Sequence, residues 1–158
     1  MQINVMRTVA VRPPAAFVIL TDIAKWPMMI GSVRTVELLT PEPMRVGARI
    51  RAQRVILGRE ATEEMEIVEI ERPRRLRLAA NNHDFHYERD HIIDAIATGS
   101  RLTLVYRNKP GTQVDRALHP LITPFLELTL RDELEQDLAD LAAAISALSP
   151  ASSSAANG

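Results

Sequence analysis

The sequence predicts an α+β fold in which a curved antiparallel sheet of about six or seven strands wraps around one long C-terminal helix. Apolar and polar residues alternate in short segments through residues 2–108, which is typical of strands with one buried face. Two short apolar helical segments follow the first strand, and residues 112–148 carry apolar side chains every three or four positions. A single helix cannot fill the whole concave side of such a sheet, so we expect a cavity between them.

Composition narrows the class of protein. The 158 residues suit one domain with a single core. The 19 basic and 20 acidic residues give a formal net charge of -1, which favours neither nucleic acid nor an anionic membrane as a partner. The chain has no cysteine, no signal-peptide pattern and no apolar run long enough to cross a bilayer. We therefore expect a cytoplasmic monomer or homodimer without stable membrane insertion.

The elements follow from breakers and periodicity. Pro13 and Pro14 end the first strand and suit a first helical turn, and Pro27 stops a second short helix after "IAKW". Thr98-Gly99 indicates a hairpin between the last two strands. We expect the folded domain to cover residues 1–149 and the small, polar residues 150–158 to form a disordered tail. The predicted strands are 2–12, 32–40, 47–57, 62–71, 74–80, 84–96 and 100–108.

The last hairpin predicts which side chains face the helix. Acidic residues from position 86 onward, including Glu88 and Asp90, share one phase of residues 84–96, so that phase should face water. The inner phase is then Phe85, Tyr87, Arg89, His91 and Ile93. A turn centred on Thr98-Gly99 would pair His91 with Tyr106 and Ile93 with Leu104, which puts Leu102, Leu104 and Tyr106 on the inner face.

Arg54 is a third inward cation by the same reasoning. In residues 47–57 it shares its phase with Ala48, Ile50, Ala52 and Ile56, whereas Arg49 and Arg51 take the other. A mostly apolar wall with a few orienting polar groups is the usual make-up of a small-molecule pocket. The alternative is structural: Arg54 and Arg89 pair with Glu63, Glu64 or Glu66, or reach the cavity rim.

Several motifs resemble those of the START-like (Bet v 1-like, SRPBCC) helix-grip domains. "VRPPAAFVILTDIAKWP" resembles the strand-to-helix joint of that family followed by its Thr-Asp-x-x-x-Trp-Pro. "IERPRRLRL" is similar to its Pro-Arg-Arg-Leu junction, and "ATGSRLTLVYR" to its Gly-Thr-Arg-Leu-Thr hairpin, with Ser100 in place of Thr. The resemblance covers about residues 3–148 and is nearest to the polyketide cyclase/dehydrase and lipid-transport type. It implies a ligand cavity between sheet and helix.

Trp26 is the only tryptophan, and it stands where the short helices would cap the open end of the grip. One interpretation places Trp26 and Met28 at the cavity mouth, where a pliable methionine suits a gate. The other makes both ordinary core residues. The expected ligand-binding set comprises Trp26, Met28, Arg54, Phe85, Tyr87, Arg89, His91, Leu104, Tyr106, Leu121 and Phe125.

Three functions remain open at this point. The first is binding of a hydrophobic molecule such as a lipid or polyketide, and the second is a cyclase-type reaction with His91, Tyr87 and Arg89 as candidate catalytic residues. The third is a protein-interaction module, since the resemblance extends to Hsp90-activator and ribosome-associated toxin types. Mutually neutralised polar groups in an open cavity would favour the first, an inward His–Tyr–Arg group the second, and a filled interior the third. We expect no cofactor and no metal, because there is no glycine-rich phosphate loop and His83 and His86 lie on opposite strand faces.

Overall fold

The computed structural model describes residues 1–81, 85–110 and 113–149, with side chains for all of these except 85, 109, 110 and 113–123. The predicted tail, 150–158, and His83 lie outside the described residues. The strands are β1 (Gln2–Val9), β2 (Val33–Leu38), β3 (Arg49–Ile56), β4 (Arg59–Glu71), β5 (Arg75–Asn81), β6 (Phe85–Ile96) and β7 (Gly99–Pro110). The helices are α1 (Pro13–Leu20), a 3-10 turn (Ile23–Lys25), α2 (Trp26–Met29) and α3 (Gln113–Leu148).

The seven strands form one antiparallel sheet in the order β1-β7-β6-β5-β4-β3-β2. All but one of these pairs join neighbours along the chain. The exception is β1, which pairs with β7 although the short helices and strands β2 to β6 lie between them in the sequence. The helix-grip α+β fold is confirmed, and α3 packs across the concave face of the sheet. Among the described residues, no helix has the length and hydropathy needed to cross a membrane.

Helix α3 buries one apolar stripe against the sheet. Its buried residues recur every three or four positions, as expected for one helix face. The short helices cover the other end of the sheet with Phe17, Leu20, Ile23 and Trp26, each of which is at most 2% exposed. The concave face of the sheet is therefore covered by α3 at one end and by the short helices at the other. The buried apolar residues of the α3 stripe are Leu130, Leu134, Leu138, Leu141, Ala142 and Ile145.

The β6–β7 hairpin is present, but its predicted register is wrong by two residues. His91 pairs with Leu104 and Ile93 with Leu102, because the ladder continues to Ile96–Gly99 and the turn lies one residue earlier. Gly99 is therefore the first residue of β7, not part of the turn. It has φ +149°, and a Cβ atom there would lie 2.1 Å from the carbonyl oxygen of Val9. Because the shift is even, the predicted inner face is unchanged.

The β3–β4 hairpin is tighter than the sequence indicated. Its two turn residues, Leu57 and Gly58, both have positive φ, at 50° and 74°, as two-residue hairpin turns favour. The carboxylate of Glu133 on α3 lies near the backbone of both residues, which offsets part of the rise in its pKa caused by burial. The hairpin tip therefore lies close to the helix.

Candidate ligand-binding site

A cavity of about 100 Å³ lies between the sheet and α3 beneath the β3–β4 hairpin. Its apolar wall comes from the hairpin and the helix, and its polar wall from β4, β6 and β7. A mostly apolar lining with a few convergent polar groups is typical of small-molecule sites. The lining residues are Ile56, Leu57, Glu63, Tyr87, Arg89, Tyr106, Asn108, Leu126 and Leu130.

Two tyrosines form the aromatic part of the polar wall. The rings of Tyr87 and Tyr106 stack with centroids 5.2 Å apart and planes inclined by 30°. The Tyr87 hydroxyl donates a short hydrogen bond to Oε2 of Glu63, a carboxylate that is 2% exposed. Burial, together with the Glu63 charge, raises the pKa of Tyr87 above its ordinary value. Tyr87 therefore remains a protonated donor at neutral pH.

Behind this wall, one aspartate joins two buried arginines. Oδ2 of Asp137 on α3 accepts from Arg54 at 2.9 Å and from Arg89 at 2.8 Å. The Ser32 hydroxyl donates to Oδ1 of the same carboxylate at 2.6 Å. Burial alone would raise the pKa of Asp137, but the charges of Arg89 and Arg54 outweigh it and hold that pKa below its ordinary range. The cluster is a paired, hydrogen-bonded charge group that links α3 to β3 and β6.

His91 lies away from this cavity. It is buried, and its ring stands 5.8 Å from that of Trp26, inclined by 51°. Burial, reinforced by the charge of Arg89, lowers the pKa of His91 to about 4, so the imidazole is neutral near pH 7. Leu104, its partner on β7, is also core. His91 does not line the cavity, so the geometry does not place it as an acid or base there.

Trp26 is a core residue. It is 1% exposed, and its indole N–H donates to the carbonyl of Leu20 at 2.9 Å. Neither Trp26 nor Met28 lines the cavity, and the burial of Trp26 agrees with the second interpretation, an ordinary core residue. Met28 is 79% exposed, because the single turn of α2 uses Trp26 and Met29 for its buried side.

Phe125 is also misplaced by the sequence prediction. It is 76% exposed, whereas Leu126 and Leu130 line the cavity. A step of one residue turns a helix by about 100°, which directs Phe125 away from the face that contacts the sheet. The side chains of Phe85 and Leu121 lie outside the described ones.

The structure thus brings together Tyr87, Arg89 and Tyr106, with Arg54 one ion pair further back. It adds Asp137, which the sequence analysis missed. Asp137 stands three residues after Leu134 and four before Leu141, so it falls on the apolar stripe of α3. An acid on that stripe, facing a sheet with two inward arginines, was the signal that could have found it.

The other additions are Glu63 and Asn108. Glu63 shares the buried phase of β4 with Met65 and Ile67. The sequence predicts it as one possible partner of the arginines, but it bonds Tyr87 instead. Asn108 lies on β7 two residues after Tyr106, on the same strand face. Both residues line the cavity.

The outer face of the sheet accounts for the arginine-rich "RPRRLR" segment. Arg75 and Arg77 both contact Glu69 and Asp90 there. Asp90 is on the predicted outer phase, yet it is fully covered, because these arginines and Arg107 close over it. Charges paired across neighbouring strands stabilise this face.

Residues 1–146 match the family described as polyketide cyclase / dehydrase and lipid transport, and the chain belongs to that family. No curated protein matches it in sequence. Family membership and fold together define a helix-grip protein with a ligand-binding cavity.

Solved structures agree on the fold. The Zhui aromatase/cyclase from Streptomyces sp. R1128 is 15% identical with a TM-score of 0.78, covering 96% of this chain and 97% of that one. Ginseng major latex-like protein 151 from Panax ginseng is 14% identical with a TM-score of 0.70, covering 90% and 95%. A START superfamily protein from Mycobacterium smegmatis is 13% identical with a TM-score of 0.64, covering 85% and 94%. At these identities the likeness is one of architecture.

Proposed function

We propose that this protein binds a hydrophobic small molecule in the cavity between its sheet and α3. The observation that carries the proposal is a cavity whose charged groups are already paired. Arg54 and Arg89 share Asp137, and Tyr87 occupies one oxygen of Glu63. Because these charges are already paired, the groups can orient a ligand that carries no charge of its own. The apolar wall supplies the affinity through burial.

Cavity size bears on how the ligand sits. About 100 Å³ suits one ring or a short chain segment, whereas drug-sized ligands occupy roughly 300 Å³ or more. A lipid or polyketide would therefore place one part beneath the hairpin, and a larger buried part requires the hairpin tip to move away from α3. Glu133 is the α3 residue whose carboxylate lies near that tip.

A second candidate is a cyclase-type reaction in the same cavity. Its support is the Tyr87–Glu63 pair beside Arg89, together with the fold shared with an aromatase/cyclase. Tyr87 would donate a proton, and Arg89 would stabilise an enolate-like oxygen. Tyr87→Phe separates the candidates, because a carrier keeps its ligand and an enzyme loses turnover. The third reading, an interaction module, is disfavoured by the presence of the cavity.

The test of binding starts with native mass spectrometry of freshly purified protein, which detects a co-purified molecule. A panel of apolar compounds is then screened by thermal unfolding. A ligand present at 100 times its Kd stabilises the fold by about 2.7 kcal/mol. For a domain of this length that raises the melting temperature by roughly 5–10 °C. A panel without any such shift, and no co-purified mass, would contradict the proposal.

A further inference from the structure

The polar wall contains buried hydrogen-bonding atoms without partners among the described residues. Oε1 of Glu63 is one, although Oε2 of the same carboxylate accepts from Tyr87. Nε of Arg89 and Oδ1 of Asn108 are the others on the cavity lining. A buried polar atom left unsatisfied is unfavourable. A ligand that satisfies these atoms should therefore bind more tightly than one that does not.

The three atoms differ in what they need. Glu63 Oε1 and Asn108 Oδ1 accept hydrogen bonds, whereas Arg89 Nε donates one. A hydroxyl is the smallest group that both donates and accepts. A ketone would satisfy only the donor, and a plain hydrocarbon would satisfy neither. The lining therefore discriminates among ligands of the same shape by their polar group.

Charge narrows the ligand further. The buried ionisable groups around this wall are two arginines, Arg54 and Arg89, and two carboxylates, Asp137 and Glu63, so their formal charges cancel. A carboxylate ligand would lie against the free oxygen of Glu63, and its burial would add an unpaired charge to a balanced site. Burying an uncompensated charge is strongly unfavourable. The favoured ligand is uncharged.

We infer that the cavity selects an uncharged ligand carrying a hydroxyl on a flat ring, with the hydroxyl directed at Glu63 and Arg89. This inference rests on the proposed function. The ring packs between the stacked pair Tyr87–Tyr106 and the side chains of Leu126 and Leu130. A volume of about 100 Å³ limits the buried part of the ligand to one ring at most, since benzene alone occupies an apolar cavity of about 150 Å³.

Four single-ring compounds test the inference by calorimetric titration of the intact protein: phenol, toluene, acetophenone and benzoate. Phenol should bind at least tenfold more tightly than toluene, with acetophenone between them and benzoate weakest. Equal affinity for phenol and toluene would overturn the inference and leave the proposed function standing. Failure of all four to bind, with no thermal shift from the wider apolar panel, would overturn both.

A matched pair of variants locates the selectivity. Glu63→Gln removes the charged acceptor at nearly constant volume, and it should bring the phenol-to-toluene ratio within about threefold. Glu60→Gln, on the exposed part of the same strand, should leave the ratio at the wild-type value. An unchanged ratio in folded Glu63→Gln would overturn the assignment of Glu63. If that variant fails to fold, anisole decides on the wild-type protein: its methylated oxygen cannot donate to Glu63, so it should bind at least tenfold more weakly than phenol, and equal affinity for the two would overturn the assignment of Glu63.

Discussion

The two halves of strand β6 point side chains to the same side of the sheet but have different surroundings, which we call the cavity end and the core end. Tyr87 and Arg89 face the β3–β4 hairpin and α3, where they line a cavity. His91 and Ile93 are packed under the short helices near Trp26, where they belong to a closed core. The strand phase is identical in both halves. The cover above the sheet decides whether an inward side chain forms a site or fills the interior.

The charge cluster at the cavity end gives the largest expected effect. Asp137→Ala leaves Arg54 and Arg89 buried without their carboxylate, which should lower the free energy of unfolding by about 3–5 kcal/mol. Urea denaturation measures this. Asp132→Ala, an exposed acid on the same helix, is the control and should change stability by less than about 0.5 kcal/mol. Equal effects of the two variants would show that the cluster contributes nothing specific.

Burial of His91 at the core end should make the free energy of unfolding depend on pH. The pKa of His91 is about 4 when folded, against about 6.5 in an unfolded chain. The unfolded state therefore binds more protons between these values, so stability is complete above pH 6.5 and falls as the pH drops. Between pH 7 and pH 5 the loss from His91 is about 2 kcal/mol.

His91→Phe is the variant that tests this pH dependence. It should flatten the fall in unfolding free energy between pH 7 and pH 5, whatever its stability at pH 7. The other charged groups near His91 are Arg89, Asp90 and Arg54. The carboxylate near His91, Asp90, and the carboxylate paired with the two arginines, Asp137, have pKa values below their ordinary range, so they do not titrate in this window. An equally steep fall in the variant would place the titration elsewhere.

A smaller effect should separate the hairpin from the fixed core. Glu133→Ala removes the carboxylate that lies near the backbone of Leu57 and Gly58, at a cost of no more than about 1 kcal/mol. Because the hairpin tip covers the cavity, stopped-flow measurement should also show faster ligand association. Glu135→Ala, on the exposed side of α3, should alter neither quantity. Unchanged association in Glu133→Ala would mean that the hairpin does not control entry.

The smallest expected effect is no effect at all. Trp26 is buried in the core end and is the only tryptophan, so ligand binding at the cavity end should leave its emission unchanged at saturation. Fluorescence titration, run beside calorimetry on the same samples, measures this. A shift or quench that follows the calorimetric isotherm would return Trp26 to the cavity mouth.

The same contrast explains how far the sequence could predict the molecule. Alternation gave the inner phases of β3 and β6, including Arg54, Tyr87, Arg89 and His91, because the side-chain period of a strand is fixed by its backbone. The β6–β7 register was wrong by two residues. Gly99 is required by the close approach of the Val9 backbone, and that contact between distant segments leaves no local pattern.

Local sequence patterns could not predict which element packs over each half of β6. Whether His91 meets solvent, ligand or Trp26 depends on where the short helices dock, and strand periodicity does not encode this. Strand pairing predicts a partner for Arg54 and Arg89 on the neighbouring strand, but the partner is Asp137, 83 residues from Arg54 along the chain. Neither the pliability of Met28 nor the apolar character of Phe125 indicates which side of a helix the residue lies on, and both are exposed.

Calorimetric titration of one ligand into two variants tests the central claim most directly. Phenol is the ligand. Leu130→Trp fills the cavity, whereas His91→Phe changes a side chain at the core end. The account predicts that Leu130→Trp abolishes binding and that His91→Phe keeps the wild-type Kd within about threefold. Retained binding in folded Leu130→Trp, with binding lost in folded His91→Phe, would contradict the account and move the site to the His91 end of the strand.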